Sequence, residues 1–188
     1  MSVFFKDIID QKGVIEQLRR SVDDNRLAHA LLITGPRGNG KLAIAIALAN
    51  YLLCGRGKGD ACGTCPSCVK LGKFIHSDLH FVFPVKKKKG GSDNPVSDDY
   101  ITEWREMLSK GAYFSYDDWL AKLDLENQQP MIYDRESAEI LHKLCELLVQ
   151  SINERRGASP HIHRNYTVFR KLVDVFSVFT IGKAAYSF

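Results

Sequence analysis

The stretch ITGPRGNGKLAI, residues 33–44, decides how this chain is interpreted. It follows a short apolar run and leads into a segment rich in Ala, Leu and Ile, which predicts a strand, a glycine-rich turn and a helix in that order. Gly35, Gly38 and Gly40 allow backbone N–H groups to wrap a phosphate, and Lys41 stands where its ammonium reaches the outer phosphates. The pattern predicts a phosphate-binding loop.

The residue after Lys41 departs from this pattern. A Ser or Thr hydroxyl normally binds the Mg²⁺ that bridges the phosphates, and here the residue is Leu42. Hydrolysis also needs a strand that ends in an acidic residue. The segment LHFVFPV, residues 79–85, ends without one, and Asp134 in PMIYD is better placed as a helix cap.

We therefore interpret the loop as one that keeps the architecture of a nucleotide-binding loop but does not hydrolyse ATP. Two alternatives stay open: an active ATPase, and a glycine turn that packs a helix on a sheet and holds no ligand.

Outward from the loop, the apolar pattern predicts further elements. Val14, Ile15, Leu18 and Val22 fall at helical spacing, so an amphipathic helix is predicted over residues 11–25. Residues 30–34 and 79–85 read as buried strands of a parallel sheet, and residues 41–53 as a helix. Short helices are predicted in 97–110 and 115–123, and a longer one over 134–156. The fold class is therefore α/β.

Residues 86–99, KKKKGGSDNPVSDD, combine a charge run with Gly, Ser, Asn and Pro. This composition predicts a mobile insertion. The alternative is that the four adjacent lysines contact a nucleic-acid backbone.

Four cysteines form a compact cluster, which we call the knuckle, over residues 54–68. Cys54, Cys62, Cys65 and Cys68 are separated by one gap of seven residues and two gaps of two. Four thiolates at such spacing close a tetrahedral structural zinc site, with no open position for a substrate. An iron–sulfur cluster is the rival, although a fourth Cys followed by Pro is missing downstream. Disulfides are the remaining alternative, and a reducing compartment disfavours them.

The other candidate residues are interpreted as packing residues. His29, His76 and His80 are expected to be structural or surface histidines, because four sulfurs already satisfy a zinc ion. Trp104, Trp119 and Cys145 lie at helical spacing among apolar neighbours and are expected in the core.

The composition restricts the class of protein. The chain has 188 residues with 26 basic and 22 acidic side chains, a net charge of +4, which permits a polyanionic partner without proving one. The first residues do not resemble a secretion signal, and no window of about 18 uncharged apolar residues predicts a membrane span. We expect a cytoplasmic protein with no membrane partner.

A phosphate loop followed by a four-Cys knuckle is a rare combination. The segments RLAHALLITGPRGNGK and CGTCPSCVKLGKFIHSDLHFVFP resemble the clamp-loader subunits of bacterial DNA polymerase III, and most closely those of the delta prime type. Leu42 and the stretch HSDLHFVFP favour delta prime over gamma/tau. Residues 100–144 resemble the insertion and helix of delta prime subunits from Bacteroidetes-type bacteria.

This resemblance implies a fold, a role and partners. The fold would be a partial P-loop NTPase of the AAA+ clamp-loader type, with a parallel sheet and an inserted zinc knuckle. The protein would be a non-hydrolysing stator that helps to load the sliding clamp on primed DNA during replication. Its partners would be the gamma/tau and delta subunits, with the clamp and the DNA reached through the complex. Cys54, Cys62, Cys65 and Cys68 would bind zinc, and Gly35, Gly40 and Lys41 would be a remnant nucleotide loop whose binding of ATP is left open.

The resemblance covers residues 1–144, an incomplete AAA+ domain. No Ser-Arg-Cys motif, the site of the family's arginine finger, is present in the chain. Residues 145–188 do not resemble the family, and we interpret this tail as a truncation or an out-of-frame reading. Two other functions stay open: a gamma/tau-like clamp-loader ATPase, and a zinc-dependent DNA-binding module.

Overall fold

The computed structural model describes residues 3–28, 31–87, 94–124, 130–136, 138–139 and 142. Its bounded helices are, in chain order, α1 (Lys12–Asp23), α2 (Lys41–Leu53), α3 (Pro66–Leu71), α4 (Ile101–Lys110) and α5 (Tyr116–Lys122). Two short 3-10 turns, Phe5–Asp7 and Ser97–Tyr100, precede α1 and α4. Residues 134–136 and 138–139 are also helical. The tail 145–188, and with it Cys145 and most of the helix predicted over 134–156, lies outside the described residues.

Helix α2 lies at the centre of the core. Every residue from Ala43 to Leu53 is buried, because a helix that is apolar on all sides has to be covered on all sides. Helix α1, helix α3 and the turn at Phe5–Asp7 each pack against it. The prediction of a helix over 41–53 is confirmed at both ends.

Helix α1 is amphipathic, as the periodicity predicted over 11–25. Of the four apolar residues predicted on one face, Ile15 and Val22 are buried and Leu18 is partly buried, whereas 42% of Val14 is exposed. Glu16 pairs with Arg20 at 3.0 Å on the surface. The hydroxyl of Tyr51 donates a hydrogen bond to Asp23 at the end of α1. This bond ties the last turn of α1 to α2.

Aromatic side chains form the second half of the core. Phe83 stacks on Trp104 with ring centroids 4.2 Å apart, and Trp119 meets both rings edge-on at about 5 Å. The indole Nε1 of Trp119 donates to the Pro84 carbonyl at 2.9 Å. Each such aromatic pair contributes about 1 kcal/mol beyond the area it buries. The core positions predicted for Trp104 and Trp119 are confirmed, with 3% and 1% of each residue exposed.

The predicted parallel sheet is not present among the described residues. Residues 31–34 and 79–85 are not assigned as strands, and the one β-type pairing described is an isolated antiparallel bridge between Val85 and Met131. A strand requires a neighbour that pairs with its backbone, and apolar composition alone does not supply one. Residues 79–85 are buried apart from the half-buried His80, so the burial was predicted correctly and the pairing was wrong.

The segment before α2 also differs from its prediction. Leu31 and Ile33 pack against the core, whereas 86% of Leu32 is exposed. A fully buried strand was expected here. Leu31 and Ile33 therefore face the core, whereas Leu32 and Thr34 are exposed to solvent.

Residues 86–99, predicted as a mobile insertion, are described at both ends, and residues 88–93 lie outside the described residues. At the far end Val96 and Ser97 are buried. The Ser97 hydroxyl bonds both the N–H and the carbonyl of Phe83, at 3.0 and 3.1 Å, and its N–H donates to the buried Glu136. This end is therefore a packed part of the core.

Candidate metal centre and phosphate loop

The four knuckle cysteines meet at one point. Their sulfur atoms all lie within 4.8 Å of one another, and the Sγ atoms of Cys62 and Cys68 are 3.9 Å apart. Sulfurs that bind zinc tetrahedrally at about 2.3 Å are separated by about 3.8 Å. Cys54, Cys62, Cys65 and Cys68 are all free thiols. The donor set and its spacing fit a metal ion such as zinc.

Backbone N–H groups support this arrangement. The N–H of Cys62 points to the Cys54 sulfur at 3.3 Å, and that of Cys68 to the Cys65 sulfur at 3.4 Å. N–H groups of Thr64 and Cys65 hold the pKa of the Cys62 thiol at about 6, which favours the thiolate. Burial raises the pKa of Cys68. A bound cation would stabilise all four thiolates, as happens at metal sites generally.

The local sequence explains the shape of the knuckle. Cys65 is the N-cap of α3, Pro66 starts that helix, and Gly63 adopts a φ of +74° in the turn between the cysteines. A Cβ on Gly63 would lie 3.2 Å from the ring of Phe4. The N-terminal segment thus packs directly on the turn.

Asp60 connects the knuckle to the N-terminal segment through hydrogen bonds. Its carboxylate accepts hydrogen bonds from the N–H groups of Phe5 and Lys6, at 3.2 and 3.1 Å. Nothing in the local sequence marks Asp60, because its partners lie more than 50 positions away along the chain.

The phosphate loop joins α2 as predicted. Gly38 and Gly40 have φ values of +82° and +70°, left-handed conformations that favour glycine. Gly40 is the N-cap of α2, so the loop lies at the positive end of that helix. The glycine turn and the helix start predicted from the sequence are therefore present, and binding of an anion by the loop stays a prediction.

The two residues that follow Gly40, which are Lys41 and Leu42, both contact other parts of the chain. The ammonium of Lys41 donates to the carbonyls of Gly35 and Pro36, at 2.9 and 2.6 Å. Leu42 packs against the hydrophobic core. The position that carries the Mg²⁺-binding hydroxyl in an active loop is here part of the packing.

Two residues that the sequence analysis missed contact this loop. Tyr113 lies against Gly40, where an added Cβ would be 2.8 Å from a ring carbon. Asp117 pairs with Arg37 at 3.4 Å. Nothing in the local sequence marks either residue, since both come from beyond α4.

The histidines lie outside the sulfur cluster. His76 contacts Ser67 at 3.4 Å and Asp78 at 3.7 Å, and burial lowers its pKa. His80 is half-buried. His29 lies outside the described residues. The cluster described above contains the four cysteines and none of the described histidines, His76, His80 and His142.

Comparison with known families agrees with the loop and the knuckle. The sequence model of the family described as DNA polymerase III, delta subunit, matches residues 10–118, more than half of the chain. The chain belongs to this family. The match includes both the phosphate loop and the four cysteines.

Individual relatives carry the names of several DNA polymerase III subunits. The chain is 35% identical over 85 residues to the DNA polymerase III subunit delta' of Bacillus subtilis, which covers 45% of this chain and 26% of that protein. It is 35% identical over 91 residues to subunit gamma/tau of Mycobacterium bovis, covering 48% and 16%. It is 36% identical over 111 residues to subunit gamma of Buchnera aphidicola, covering 58% and 28%.

The chain therefore matches about a quarter or less of the length of the first two of these relatives. No solved structure matches it significantly. In the described part of the chain, no helix has the length and apolar character needed to cross a bilayer.

Proposed function

We propose that this protein is a clamp-loader subunit of the delta prime type, an AAA+ module that takes part in DNA replication without hydrolysing ATP. Relatives named as delta' and gamma/tau subunits of DNA polymerase III support a clamp-loader subunit, and the relative named delta' agrees with the finer assignment. In this proposal its partners are the gamma/tau and delta subunits, and it reaches the sliding clamp and primed DNA only through their complex.

One observation carries the choice of delta prime. Leu42 occupies the position of the metal-binding hydroxyl, and its side chain packs into the core. An apolar side chain held by packing has no ligand to offer Mg²⁺, so the phosphates lose the cation that neutralises charge during transfer. Gly35, Gly38, Gly40 and Lys41 then serve as a remnant nucleotide loop that preserves the architecture.

The rival function is an active gamma/tau-like ATPase, which the identities to gamma/tau subunits favour. Mg²⁺-dependent ATP hydrolysis by the wild-type chain and by Lys41→Ala separates the two. We expect no turnover above that of Lys41→Ala. Turnover that Lys41→Ala abolishes would contradict the proposed function.

The knuckle has a structural role in this proposal, with zinc bound by Cys54, Cys62, Cys65 and Cys68. A zinc-dependent DNA-binding module is the third candidate, and it depends on the lysine run at 86–89. One of these lysines already has partners within the chain, because the ammonium of Lys86 donates to the backbone carbonyls of Leu123 and Asp124. DNA affinity that falls steeply with salt and with replacement of these lysines would favour this third function.

A further inference from the structure

A segment from elsewhere in the chain contacts the end of the phosphate loop, where Gly40 is buried and residues 35–39 are exposed. Residues 111–117, which join α4 to α5 and which we call the cover, supply Tyr113 and Asp117. The Tyr113 ring contacts Gly40, where an added Cβ would lie 2.8, 3.2 and 3.3 Å from three of its atoms. Its hydroxyl accepts a hydrogen bond from the N–H of Ile9 at 3.3 Å. The cover thus bridges the loop and the segment before α1.

The two cationic side chains of the loop, Arg37 and Lys41, also have partners within the chain. Arg37 pairs with Asp117 at 3.4 Å, and the Lys41 ammonium donates to two carbonyls of the loop itself. A phosphate chain would bind through these same cations, because charge-assisted hydrogen bonds to Arg and Lys are the strong contacts of such sites. Ligand and internal partners therefore compete for Arg37 and Lys41.

We propose that the cover competes with a ligand at Gly40 and Arg37 of the phosphate loop and so weakens the binding of a nucleoside triphosphate. This goes beyond the proposed function, because Leu42 removes a metal ligand needed for hydrolysis but leaves the backbone and Lys41 able to bind phosphates. It rests on the proposed function only in taking the loop as a remnant nucleotide site.

The contacts predict the size of the effect. The side chains of Arg37 and Asp117 are 81% and 69% exposed, and Tyr113 is about half exposed, so the closed state is favoured over the open state by a modest factor. When only a fraction of the molecules is open, the apparent dissociation constant rises by the inverse of that fraction. We expect removal of the cover contacts to tighten binding at least fivefold.

The test compares the full chain with a Tyr113→Ala/Asp117→Asn variant. Binding of ATP with Mg²⁺, and separately of inorganic tripolyphosphate, is measured by titration calorimetry. Both altered side chains are substantially exposed, so the fold should tolerate the changes. Met131→Ala/Asp124→Asn is the matched control, since it also removes an exposed apolar group and an exposed carboxylate, neither of them in the cover.

The inference requires at least fivefold tighter binding of both probes by the cover variant than by the wild type and the control. It also requires this gain to disappear when Lys41→Ala is added. Equal affinities, binding by none of the proteins, or a gain that survives Lys41→Ala would each overturn it.

Two milder variants keep the test decisive if the double variant does not fold. Tyr113→Phe removes the bond to Ile9, and Asp117→Asn removes the charge that holds Arg37. Each should tighten binding at least twofold, and no change in either would overturn the inference. Hydrolysis measured in the same samples separates the two proposals: turnover that needs Lys41 contradicts the proposed function, whereas an absent gain in affinity contradicts only the cover.

Discussion

Gly40 lies between the phosphate loop and α2, and two independent observations favour glycine at this position. Its φ of +70° favours glycine, and Tyr113 fills the space where a side chain would begin. The loop sequence predicted the first of these. The second depends on a residue more than 70 positions away and is visible only in the folded chain.

We expect Gly40→Ala to lower the free energy of unfolding by about 1–2 kcal/mol for the left-handed backbone alone, with the contact to Tyr113 adding to this. Gly13→Ala is the matched control, because Gly13 lies in α1 with nothing within 4 Å of an added Cβ. That change should stabilise the helix by about 0.5–1 kcal/mol. Urea denaturation of both variants measures the difference, and effects of the same sign would contradict the assignment.

Glu136 gives a prediction about pH. It is buried against Ser97, and burial raises its pKa. Since the folded-state pKa lies above the unfolded value of about 4.3, the contribution of this group to stability is fully present below that pH. It is lost as the pH rises through the folded-state pKa.

Glu136→Gln should therefore gain stability relative to the wild type as the pH rises from about 4 to 8, because the amide does not ionise. Urea midpoints measured across this range test it. Glu16→Gln, which alters an exposed carboxylate of α1, is the control and should not show the same trend. A difference between Glu136→Gln and wild type that shrinks with rising pH would rule the explanation out.

The helices show how far local pattern determines an element. Helix α2 has the predicted bounds because its glycine start and its uniformly apolar run are both local signals. Residues 79–85 show the opposite case. Their composition predicted burial correctly, but pairing requires a neighbouring strand, and composition carries no information about a partner elsewhere in the chain.

Helix α3 is an element whose stability should depend on metal. It has six residues, too few to be stable alone, with Cys65 as its N-cap and Cys68 in its first turn. We expect purified protein to contain zinc, and Cys68→Ser to lose it. Chelation should lower the urea midpoint of the wild type, because ligand binding to the folded state stabilises it.

Metal content measured by mass spectrometry and the absorption spectrum together check this prediction. Cys145→Ser is the control and should keep its metal, since Cys145 lies outside the CGTCPSC spacing of the knuckle in the sequence. A coloured protein with bound iron would show that the cluster is an iron–sulfur centre. Disulfides in place of free thiols would show that the knuckle binds no metal.

For the molecule as a whole, the exposed side chain of Leu32, beside the phosphate loop, leads to a prediction about self-association. Leu32 is 86% exposed on an extended segment, whereas its neighbour Ile33 packs against the core. A large apolar side chain that is almost fully exposed favours association with another chain. We predict that Leu32→Asn changes the stability by less than about 0.5 kcal/mol and lowers concentration-dependent self-association.

Ile33→Asn, one position along, should instead destabilise the fold by about 1–3 kcal/mol, because it places a polar group in the core. Sedimentation velocity and urea denaturation of the two variants check both statements. Equal loss of stability in both would mean that Leu32 is covered in solution.

The sequence by itself determined the local features: the glycine loop before α2, the bounds of α2, the four clustered thiols and the buried tryptophans. These depend on neighbours within a few positions, where spacing and composition carry the information. The tertiary structure decided the rest, namely which backbones pair, that Asp60 holds the N-terminal segment and that Tyr113 and Asp117 contact the phosphate loop. Such contacts join residues far apart in the chain, and they follow from how the whole core packs.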